Sequence, residues 1–431
     1  MKHRIWLPVF LALLLLCSGC AQKQVNDVVS TEDPKGKGYK STQKSIPQKM
    51  MEADTTVTDT EFEEDDLGEL EEQTVQLDKI ADIIGRMTLE EKAAQLFVVL
   101  PEALIEGVSA VTQAGDATKE AVSEFPVSGF VYMQNNLQSP EQVKEMLSNV
   151  QSYSMERIGL PAFLCVDEEG GKVARISGTD NFSIPGFEGM DEVGQSQNTK
   201  RAKDIGNTIG EYLSGFGFNV DFAPVADVLS NPQNEVVKQR SFGSDPGLVS
   251  DMALAVMEGL WEQGVYASYK HFPGHGMTAG DTHEGYAYSD KTLEQIEECE
   301  LVPFQNGILA GVSFVMVGHI SLPQVVGDNT PASLSKVVIT DLLRDKMGYD
   351  GVVITDAMNM GAIAGQYSSA EAAVRAIAAG VDLVLMPKDF KEAYEGVIEA
   401  VKDGTLSMER VDESLARILK VKLQIMERGV Q

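Results

Sequence analysis

The segment VYASYKHFPGHGMTAGDTHEG, residues 265–285, decides how the rest of this chain is interpreted. Residues 265–269 form an apolar and aromatic run, which predicts a buried β-strand. Lys270 and His271 follow, and then glycine and proline predict a loop. Barrel and α/β enzymes place their chemistry at such strand ends and in the loops after them. The segment contains three of the five histidines of the chain, so it predicts a site at the end of a strand.

Seven further apolar runs complete a repeating pattern of strands. With residues 265–269, the runs are 96–100, 127–133, 162–166, 220–225, 314–317, 352–355 and 383–386. The segments between them are long enough for helices, such as 140–158, 199–216 and 370–379. Eight strands alternating with helices are typical of an α/β fold of the TIM type, a (β/α)8 barrel. An open, doubly wound sheet is the alternative. The barrel is favoured because polar clusters follow five of the strands, and a barrel gathers strand ends at one mouth.

Composition restricts the class of partner. The chain has 431 residues, of which 43% are apolar, and this is enough for a sizeable core. The formal net charge is -30, with 35 Lys and Arg against 65 Asp and Glu. A polyanion would be repelled by this charge, so nucleic acid is not an expected partner.

The N-terminus predicts export and lipid attachment. Lys2 and Arg4 precede the apolar segment 7–16, which is too short to span a bilayer but suits the core of a signal peptide. Cys17-Ser18-Gly19-Cys20 follows and resembles a bacterial lipoprotein processing site. Residues 1–20 are therefore predicted to be a lipoprotein signal peptide, with Cys20 lipidated and the protein held outside the cytoplasm on the cell membrane. Cys17 replaces the usual leucine, so cleavage by an ordinary signal peptidase is the alternative.

Residues 21–75 predict a disordered polar and acidic tether, and residues 76–431 a single catalytic domain. Between Glu52 and Glu72 there are eleven acidic residues and no Lys or Arg. Such a segment cannot bury enough apolar area to offset the entropy lost on ordering. Two cysteines, Cys165 and Cys299, lie in the predicted domain. We expect them to be unpaired thiols, and we expect no metal site because a metal would need more ligands.

Two polar clusters follow the third and fourth runs. The first is DEEGGKVAR, residues 167–175, where a glycine pair permits a turn that brings Arg175 back toward Asp167. A carboxylate and a guanidinium together can bind sugar hydroxyls, while an internal salt bridge between the two is the alternative reading. The second cluster, FAPVADV at 222–228, leads to Arg240 in QRSFG. For Arg240, packing within the loop is as compatible with the sequence as a role in binding a ligand.

The fifth loop contains a carboxylate and an imidazole two residues apart. Asp281 and His283 flank Thr282, and in an extended chain their side chains point the same way. The carboxylate can then hold the imidazole and stabilise its cation, which suits general acid/base catalysis near neutral pH. A loop histidine that caps backbone groups is the alternative. His275, between two glycines, is interpreted as loop structure.

Asp356 follows the seventh run, where an inward-facing barrel strand would emerge. A carboxylate at this point can attack an anomeric carbon and form a glycosyl-enzyme ester. After the sixth run, His319 either lines the same mouth or is a core histidine, and the core interpretation is favoured.

Taken together, these clusters resemble glycoside hydrolase family 3, and within it the single-domain β-N-acetylglucosaminidases that act on bacterial cell-wall sugars. The resemblance covers residues 87–427. Its motifs are MTLEEK, DEEGGKVAR, FAPVADV with QRSFG, KHFPGHG with DTH, PASLS at 331–335, and ITDAMNM.

The resemblance implies a role for each matching residue. Asp356 would be the nucleophile, and His283 would be the acid/base, oriented by Asp281. The terminal N-acetylglucosamine would be bound by Asp167, Arg175, Arg240, Lys270 and His271. The barrel alone would supply the catalytic set, and no metal or organic cofactor would be needed.

The expected reaction is hydrolysis with retention of configuration, carried out by a monomer on N-acetylglucosamine-containing cell-wall fragments. Because a neutral histidine repels an incoming anion less than a carboxylate would, a β-N-acetylglucosaminide phosphorylase is one alternative. A β-glucosidase of the same family is another. A lipoprotein that binds cell-wall sugar without cleaving it is the alternative from outside catalysis.

Overall fold

The computed structural model describes residues 64–278, 280, 285 and 287–429. Eight parallel strands form its core: β1 (Phe97–Val99), β2 (Gly129–Val131), β3 (Phe163–Val166), β4 (Val220–Asp221), β5 (Tyr266–Phe272), β6 (Phe314–Val317), β7 (Val352–Thr355) and β8 (Val384–Leu385). Each strand pairs with the next one along the chain up to β7, and β1 pairs with β8. A parallel bridge between Ile354 and Leu383 brings β7 against β8. The predicted TIM-type barrel is therefore confirmed, and the open sheet is excluded because the first strand pairs with the last.

Helices surround the barrel. They are α1 (Glu64–Arg86), α2 (Leu89–Ala94), α3 (Asp116–Glu124), α4 (Pro140–Ile158), α5 (Met190–Gln195), α6 (Thr199–Phe216), α7 (Pro246–Glu262), α8 (Leu293–Glu297), α9 (Leu301–Leu309), α10 (Pro323–Val326), α11 (Gly361–Ala364), α12 (Ser369–Ala379), α13 (Phe390–Lys402) and α14 (Met408–Glu427). A π-helix spans Val337–Lys346. Short 3-10 turns span Pro101–Leu104, Gln134–Asn136, His275–Met277 and Ala332–Leu334. Within the described ranges, no helix combines the length and apolarity that crossing a membrane requires.

The strands follow from the apolar runs. In β6 and β7 every residue is buried, as expected for parallel strands that are covered on both faces. Phe163 of β3 and Phe314 of β6 meet edge to face with ring centroids 5.3 Å apart. Because β3 and β6 are not neighbours in the sheet, this contact crosses the barrel interior and fills it.

Helix α1 begins at Glu64, inside the stretch that the sequence analysis assigned to the tether. The helix thus runs across the predicted boundary at residue 75 between tether and domain, and that boundary stays a prediction. Ile80 and Ile84 are buried in the barrel's hydrophobic core and anchor the C-terminal half of the helix. Once a helix is nucleated, each added residue gains a hydrogen bond, so it extends beyond its anchored part. Cys20 and the rest of residues 1–63 lie outside the described residues.

Lys422 of α14 closes the barrel at the N-terminal ends of the strands. Its ammonium donates to the carbonyl oxygens of Ser128 and Pro161 at 2.9 and 2.7 Å, just before β2 and β3. It also lies 4.9 Å from the ring centroid of Phe163. Complete burial lowers the pKa of Lys422 to about 7, and no acidic side chain of the described residues pairs with it.

Candidate active site

The site lies at the C-terminal ends of β3 to β7, and β5 sets its geometry. The sequence predicted a strand that ends at Lys270, but β5 continues to Phe272, so Lys270 and His271 both lie within the strand. Lys270 pairs with Met316 and Phe272 with Val317, which leaves His271 as an extra residue opposite β6. This β-bulge explains the difference, since it keeps two polar residues within the ladder. Bulges re-aim side chains, and both residues are buried in the barrel mouth.

Four charged side chains form one ion cluster, in which Glu169 is the centre. Lys270 Nζ lies 2.6 Å from Glu169 Oε1 and 2.9 Å from Asp167 Oδ1. Arg240 donates to both oxygens of Glu169, at 2.8 Å from Nε and 2.7 Å from Nη2. The structure therefore brings together Asp167, Lys270 and Arg240, three of the predicted substrate-binding residues, around a carboxylate that the sequence analysis did not assign.

The electrostatics of this cluster favour the charged states of Glu169, Lys270 and Arg240. Burial alone would raise the pKa of Glu169, but the charges and hydrogen bonds of Arg240 and Lys270 outweigh it and hold that pKa far below its usual range. Burial would likewise lower the pKa of Lys270, yet the charges of Asp167 and Glu169 raise it. Glu169, Lys270 and Arg240 thus form a trio of fixed charges at neutral pH.

Arg175 lies at the edge of the cluster. Residues Glu168–Gly170 and Val173–Ala174 form an antiparallel hairpin, and Gly170 and Gly171 have φ of 83° and 57°, which only glycine adopts easily. The predicted turn is therefore confirmed. It places Arg175 Nη2 3.6 Å from Asp167 Oδ2, so the salt bridge that was the alternative interpretation is present as a long contact. Both side chains are partly exposed, at 28% for Arg175 and 20% for Asp167.

Asp227, which follows β4, ties His271 to the start of the next loop. His271 Nδ1 lies 2.7 Å from Asp227 Oδ2, and Oδ1 accepts the backbone N–H groups of His271 and His275 at 3.0 and 2.6 Å. Arg240 Nη2 lies 3.4 Å from His271 Nε2, and since arginine can only donate, this contact favours a proton on Nδ1. The carboxylate therefore fixes both the ring and the backbone beside it.

His275 lies in the 3-10 turn after β5, in agreement with its interpretation as loop structure. Asn234 Nδ2 donates to its carbonyl oxygen at 2.9 Å. Burial and the neighbouring His271 lower the pKa of His275 to about 4. Its imidazole is therefore neutral at the pH where a general acid would work.

Asp356 is the first residue after β7 and lies among these groups. Its backbone N–H donates to Val317 O at 2.9 Å, and its Oδ1 accepts the N–H of Ala357 at 2.8 Å. Burial would raise the pKa of Asp356, but His271, His319, the Ala357 N–H and Lys270 together lower it. The structure thus provides an ionised carboxylate beside the ion cluster.

His319 follows β6 and is fully buried, as a core histidine would be. Its Nε2 nevertheless lies 3.0 Å from Ala357 O, and its Nδ1 lies 2.7 Å from Ser333 Oγ. His319 is therefore buried, as the core interpretation predicted, and its ring also contacts the turn that begins with Asp356.

Asp281 and His283 lie outside the described residues. The segments on either side of them are described. On one side, the turn His275–Met277 is bound by Asp227 and Asn234. On the other, Ala287–Tyr288 pairs in parallel with Ile320–Ser321, directly after His319.

Glu169, Asp227 and Ser333 are the residues whose place in the site was not predicted, whereas a position of His319 at the mouth was the less favoured of two alternatives. Glu169 and Asp227 stand in motifs that were quoted, and Ser333 stands in PASLS. The sequence could have indicated the two acids, because each follows an apolar run and a buried carboxylate needs a partner. Which cation partners which acid depends on contacts between segments far apart in the chain.

Within the described ranges, no three or more His, Cys, Asp or Glu side chains are placed to hold a metal ion. Asp167, Glu169 and Asp227 are bound by lysine, arginine or histidine instead. Cys165 and Cys299 are both unpaired, as predicted. Burial raises the pKa of the Cys165 thiol well above its usual value, so this thiol behaves as a small apolar side chain.

Comparison with known proteins agrees with this geometry. Residues 88–421 match the model of the glycosyl hydrolase family 3 N-terminal domain. Beta-hexosaminidase A of Pseudoalteromonas piscicida is 32% identical over 340 residues, which are 74% of this chain and 56% of that protein. The beta-hexosaminidase of Chromobacterium violaceum is 35% identical over 282 residues, which are 64% of this chain and 76% of that protein.

Two solved structures are similar over most of the described domain. The glycoside hydrolase family 3 beta-N-acetylglucosaminidase from Paenibacillus sp. str. FPU-7 has a TM-score of 0.73 and 34% identity, and the match covers 79% of this chain and 63% of that one. LpqI of M tuberculosis has a TM-score of 0.70 and 31% identity, and the match covers 80% and 96%.

Proposed function

Since the chain belongs to glycosyl hydrolase family 3, we propose that it is a retaining exo-β-N-acetylglucosaminidase that removes terminal β-linked N-acetylglucosamine. The observation that carries this proposal is the ionised carboxylate of Asp356 at the end of β7, next to the cluster of Glu169, Lys270 and Arg240. The choice of sugar rests on the names of the relatives, a β-N-acetylglucosaminidase and several beta-hexosaminidases.

In the first step, the Asp356 carboxylate attacks the anomeric carbon and forms an ester. The bond from that carbon to the leaving oxygen breaks, and His283 gives its proton to this oxygen. In the second step, neutral His283 takes a proton from water, and the hydroxide oxygen attacks the same carbon. The ester breaks, Asp356 is again a carboxylate, and two inversions give retention. Asp281 holds the imidazole during both steps.

The ion cluster binds the terminal sugar in this proposal. Asp167 accepts hydrogen bonds from sugar hydroxyls, whereas Arg175, Arg240 and Lys270 donate to them. His271 presents Nε2 as an acceptor, which a sugar hydroxyl would share with Arg240, because Asp227 favours the proton on Nδ1. A site with both donors and acceptors discriminates against sugars that lack the matching hydroxyls.

We propose that the natural substrates are peptidoglycan fragments and that the enzyme acts as a monomer held outside the cytoplasm by a lipid on Cys20. Support for this location comes from the signal-like segment 7–16 and the polar stretch after Cys20. The test is metabolic labelling with a radioactive or alkyne fatty acid, followed by membrane fractionation. Cys20→Ala should lose both label and membrane association. A Cys20→Ala protein that keeps the label would overturn the anchor without affecting the catalytic proposal.

The catalytic proposal is tested with 4-nitrophenyl β-N-acetylglucosaminide and the corresponding β-glucoside, each with and without phosphate. We expect release of N-acetylglucosamine from the first substrate, and loss of turnover in Asp356→Asn with an unchanged fold by circular dichroism. Preferred cleavage of the glucoside would indicate a β-glucosidase, and a sugar 1-phosphate would indicate a phosphorylase. Binding of purified muropeptides without any cleavage would indicate a sugar-binding protein.

A further inference from the structure

We propose that His319 and Ser333 form a positioning pair that sets the orientation of the Asp356 carboxylate through the backbone of Ala357. This inference rests on the proposed function in one respect, namely that Asp356 is the nucleophile. It gives a role to PASLS, residues 331–335, which the sequence analysis recognised without assigning it any chemistry.

The first observation is the environment of the His319 ring. Nε2 lies 3.0 Å from Ala357 O, and a carbonyl can only accept, so Nε2 carries a proton and donates it. Nδ1 lies 2.7 Å from Ser333 Oγ. His319 and Ser333 are both completely buried, so water does not compete for either contact. Each ring nitrogen therefore has a fixed partner.

The second observation is how the turn after β7 is held. The N–H of Asp356 donates to Val317 O of β6, and the N–H of Met358 donates to Leu385 O of β8, both at 2.9 Å. These backbone bonds hold the turn from either side. The carbonyl of Ala357 accepts the N–H of Met360 at 3.1 Å within the turn and the Nε2 proton of His319 at 3.0 Å. His319 is therefore the side chain that fixes this peptide, which neither neighbouring strand binds.

The third observation connects this turn to the carboxylate. Ala357 N–H donates to Asp356 Oδ1 at 2.8 Å, which restricts rotation of the carboxylate. With Oδ1 held, Oδ2 is the oxygen left for attack. Rotation of the Ala357 peptide would release Oδ1 and turn both oxygens. A misplacement of about 1 Å at a reacting atom costs on the order of 100-fold in rate, so the contact of His319 matters for turnover.

The segment that carries Ser333 is itself fixed. Ser321 Oγ donates to Asn329 O at 2.9 Å, and Ser321 pairs with Pro331 in an isolated antiparallel bridge. Ser333 then lies in the 3-10 turn Ala332–Leu334. Ser321 belongs to the strand Ile320–Ser321, which directly follows His319. The bridge to Pro331 therefore holds Ser333 next to the ring of His319, although the two residues are 14 positions apart in the chain.

The test compares His319→Leu, His319→Gln and Ser333→Ala with Ser335→Ala as the matched control. Ser335 lies in the same segment and is also buried, but the ring of His319 is bound by Ser333. The glutamine amide can donate to Ala357 O, whereas leucine cannot. We expect His319→Leu to lose about 100-fold in kcat with KM changed by less than about twofold. His319→Gln should regain at least about tenfold of that loss, and Ser333→Ala should lose about tenfold.

Equal kcat values for His319→Leu and wild type, corrected for the folded fraction, would overturn the proposal, and so would equal losses in the leucine and glutamine variants. Should His319→Leu not fold, the contrast between Ser333→Ala and Ser335→Ala decides, and equal kcat values for these two would also overturn it.

A second measurement needs no substrate. Carbon-13 NMR of protein labelled at the aspartate carboxyl carbons follows the titration of Asp356, whose signal is absent from Asp356→Asn. The groups that face this carboxyl are His271, His275, His319 and Lys270. Removal of the imidazole in His319→Leu should raise the pKa of Asp356, and an unchanged pKa would contradict the proposal. If wild type cleaves no β-glycoside, the proposed function fails while this titration still reports on the pair.

Discussion

Arg240 binds Glu169 through two parallel hydrogen bonds, from Nε to Oε2 at 2.8 Å and from Nη2 to Oε1 at 2.7 Å. Lys270 adds a third contact to the same carboxylate at 2.6 Å. Two-pronged pairs of this kind fix geometry as well as charge, so Glu169 determines where the two cations lie. It does so without being one of the residues predicted to touch the sugar.

Glu169→Ala should destabilise the protein strongly, because it leaves Lys270 and Arg240 buried without their shared partner. Removing one partner of a buried ion pair costs about 3 to 5 kcal/mol. Chemical denaturation of both proteins at neutral pH measures this difference. Glu235→Ala, which removes an exposed pair with Lys238, is the control and should cost less than about 1 kcal/mol. Similar losses in the two variants would show that the cluster is not a buried unit.

Asp227→Asn should impair catalysis more than folding. An asparagine amide facing His271 Nδ1 would donate to it and move the ring proton to Nε2, where Arg240 also donates. Loss of such a partner typically costs about 10- to 100-fold in activity. Nitrogen-15 NMR of the imidazoles reports the tautomer directly, and steady-state kinetics report kcat/KM. Asp251→Asn, at an exposed position of α7, is the control; an unchanged His271 tautomer in Asp227→Asn would refute the argument.

The acid limb of the pH profile of kcat/KM should shift when Lys270 is replaced. Burial would raise the pKa of Asp356, but the surrounding cations and hydrogen bonds lower it below its ordinary 3.8, so the carboxylate stays ionised down to that pH. Lys270→Gln removes one positive charge, weakens the stabilisation of the anion and therefore raises this pKa. The acid limb should move to higher pH in the variant. An acid limb at the same pH in both proteins would mean that Asp356 does not govern it.

Lys422 should give the free energy of unfolding a distinctive pH dependence. Its folded pKa is about 7 and its ordinary value is 10.5, so between these pH values the unfolded chain binds more protons than the folded one. Stability therefore rises with pH across this window, by up to about 1.4 kcal/mol per pH unit, and the penalty is complete below pH 7.

Urea denaturation of wild type and Lys422→Met between pH 6 and 9 measures this effect. The difference in free energy between the two proteins should change across the window in favour of wild type as pH increases. Lys420→Met, at an exposed position two residues earlier in α14, is the matched control. Parallel curves for wild type and Lys422→Met would contradict the assigned environment of Lys422.

The barrel could be predicted because its strands are buried on both faces and appear in the sequence as unbroken apolar runs. The runs 314–317 and 352–355 coincide with β6 and β7. The end of β5 could not be predicted in this way. Lys270 and His271 are polar, and they belong to the strand because Met316 and Val317, far along the chain, pair with that part of it.

The residues of the site could be predicted as candidates, but their pairing could not. Asp167 was matched with Arg175, its neighbour in sequence, at a contact that is 3.6 Å long. Its shorter contact, 2.9 Å, is to Lys270 on another strand. A hydrogen bond between residues 103 positions apart leaves no periodic signal in the sequence. The same reason applies to Ser333 and His319, which the turn of the backbone brings together.

The burial of the ion cluster has a consequence for protein engineering. Lys270 and Glu169 expose only 2% and 1% of their side chains, so they shed their hydration while the chain folds and not when a sugar arrives. Dehydrating each ion costs several kcal/mol, and replacing an entire buried ion trio by apolar side chains of equal volume often strengthens a fold. Substitutions of these ions that raise the melting temperature are therefore expected to lower kcat. Directed evolution toward higher melting temperature alone would select variants that have lost the proposed activity, unless every round also selects for product.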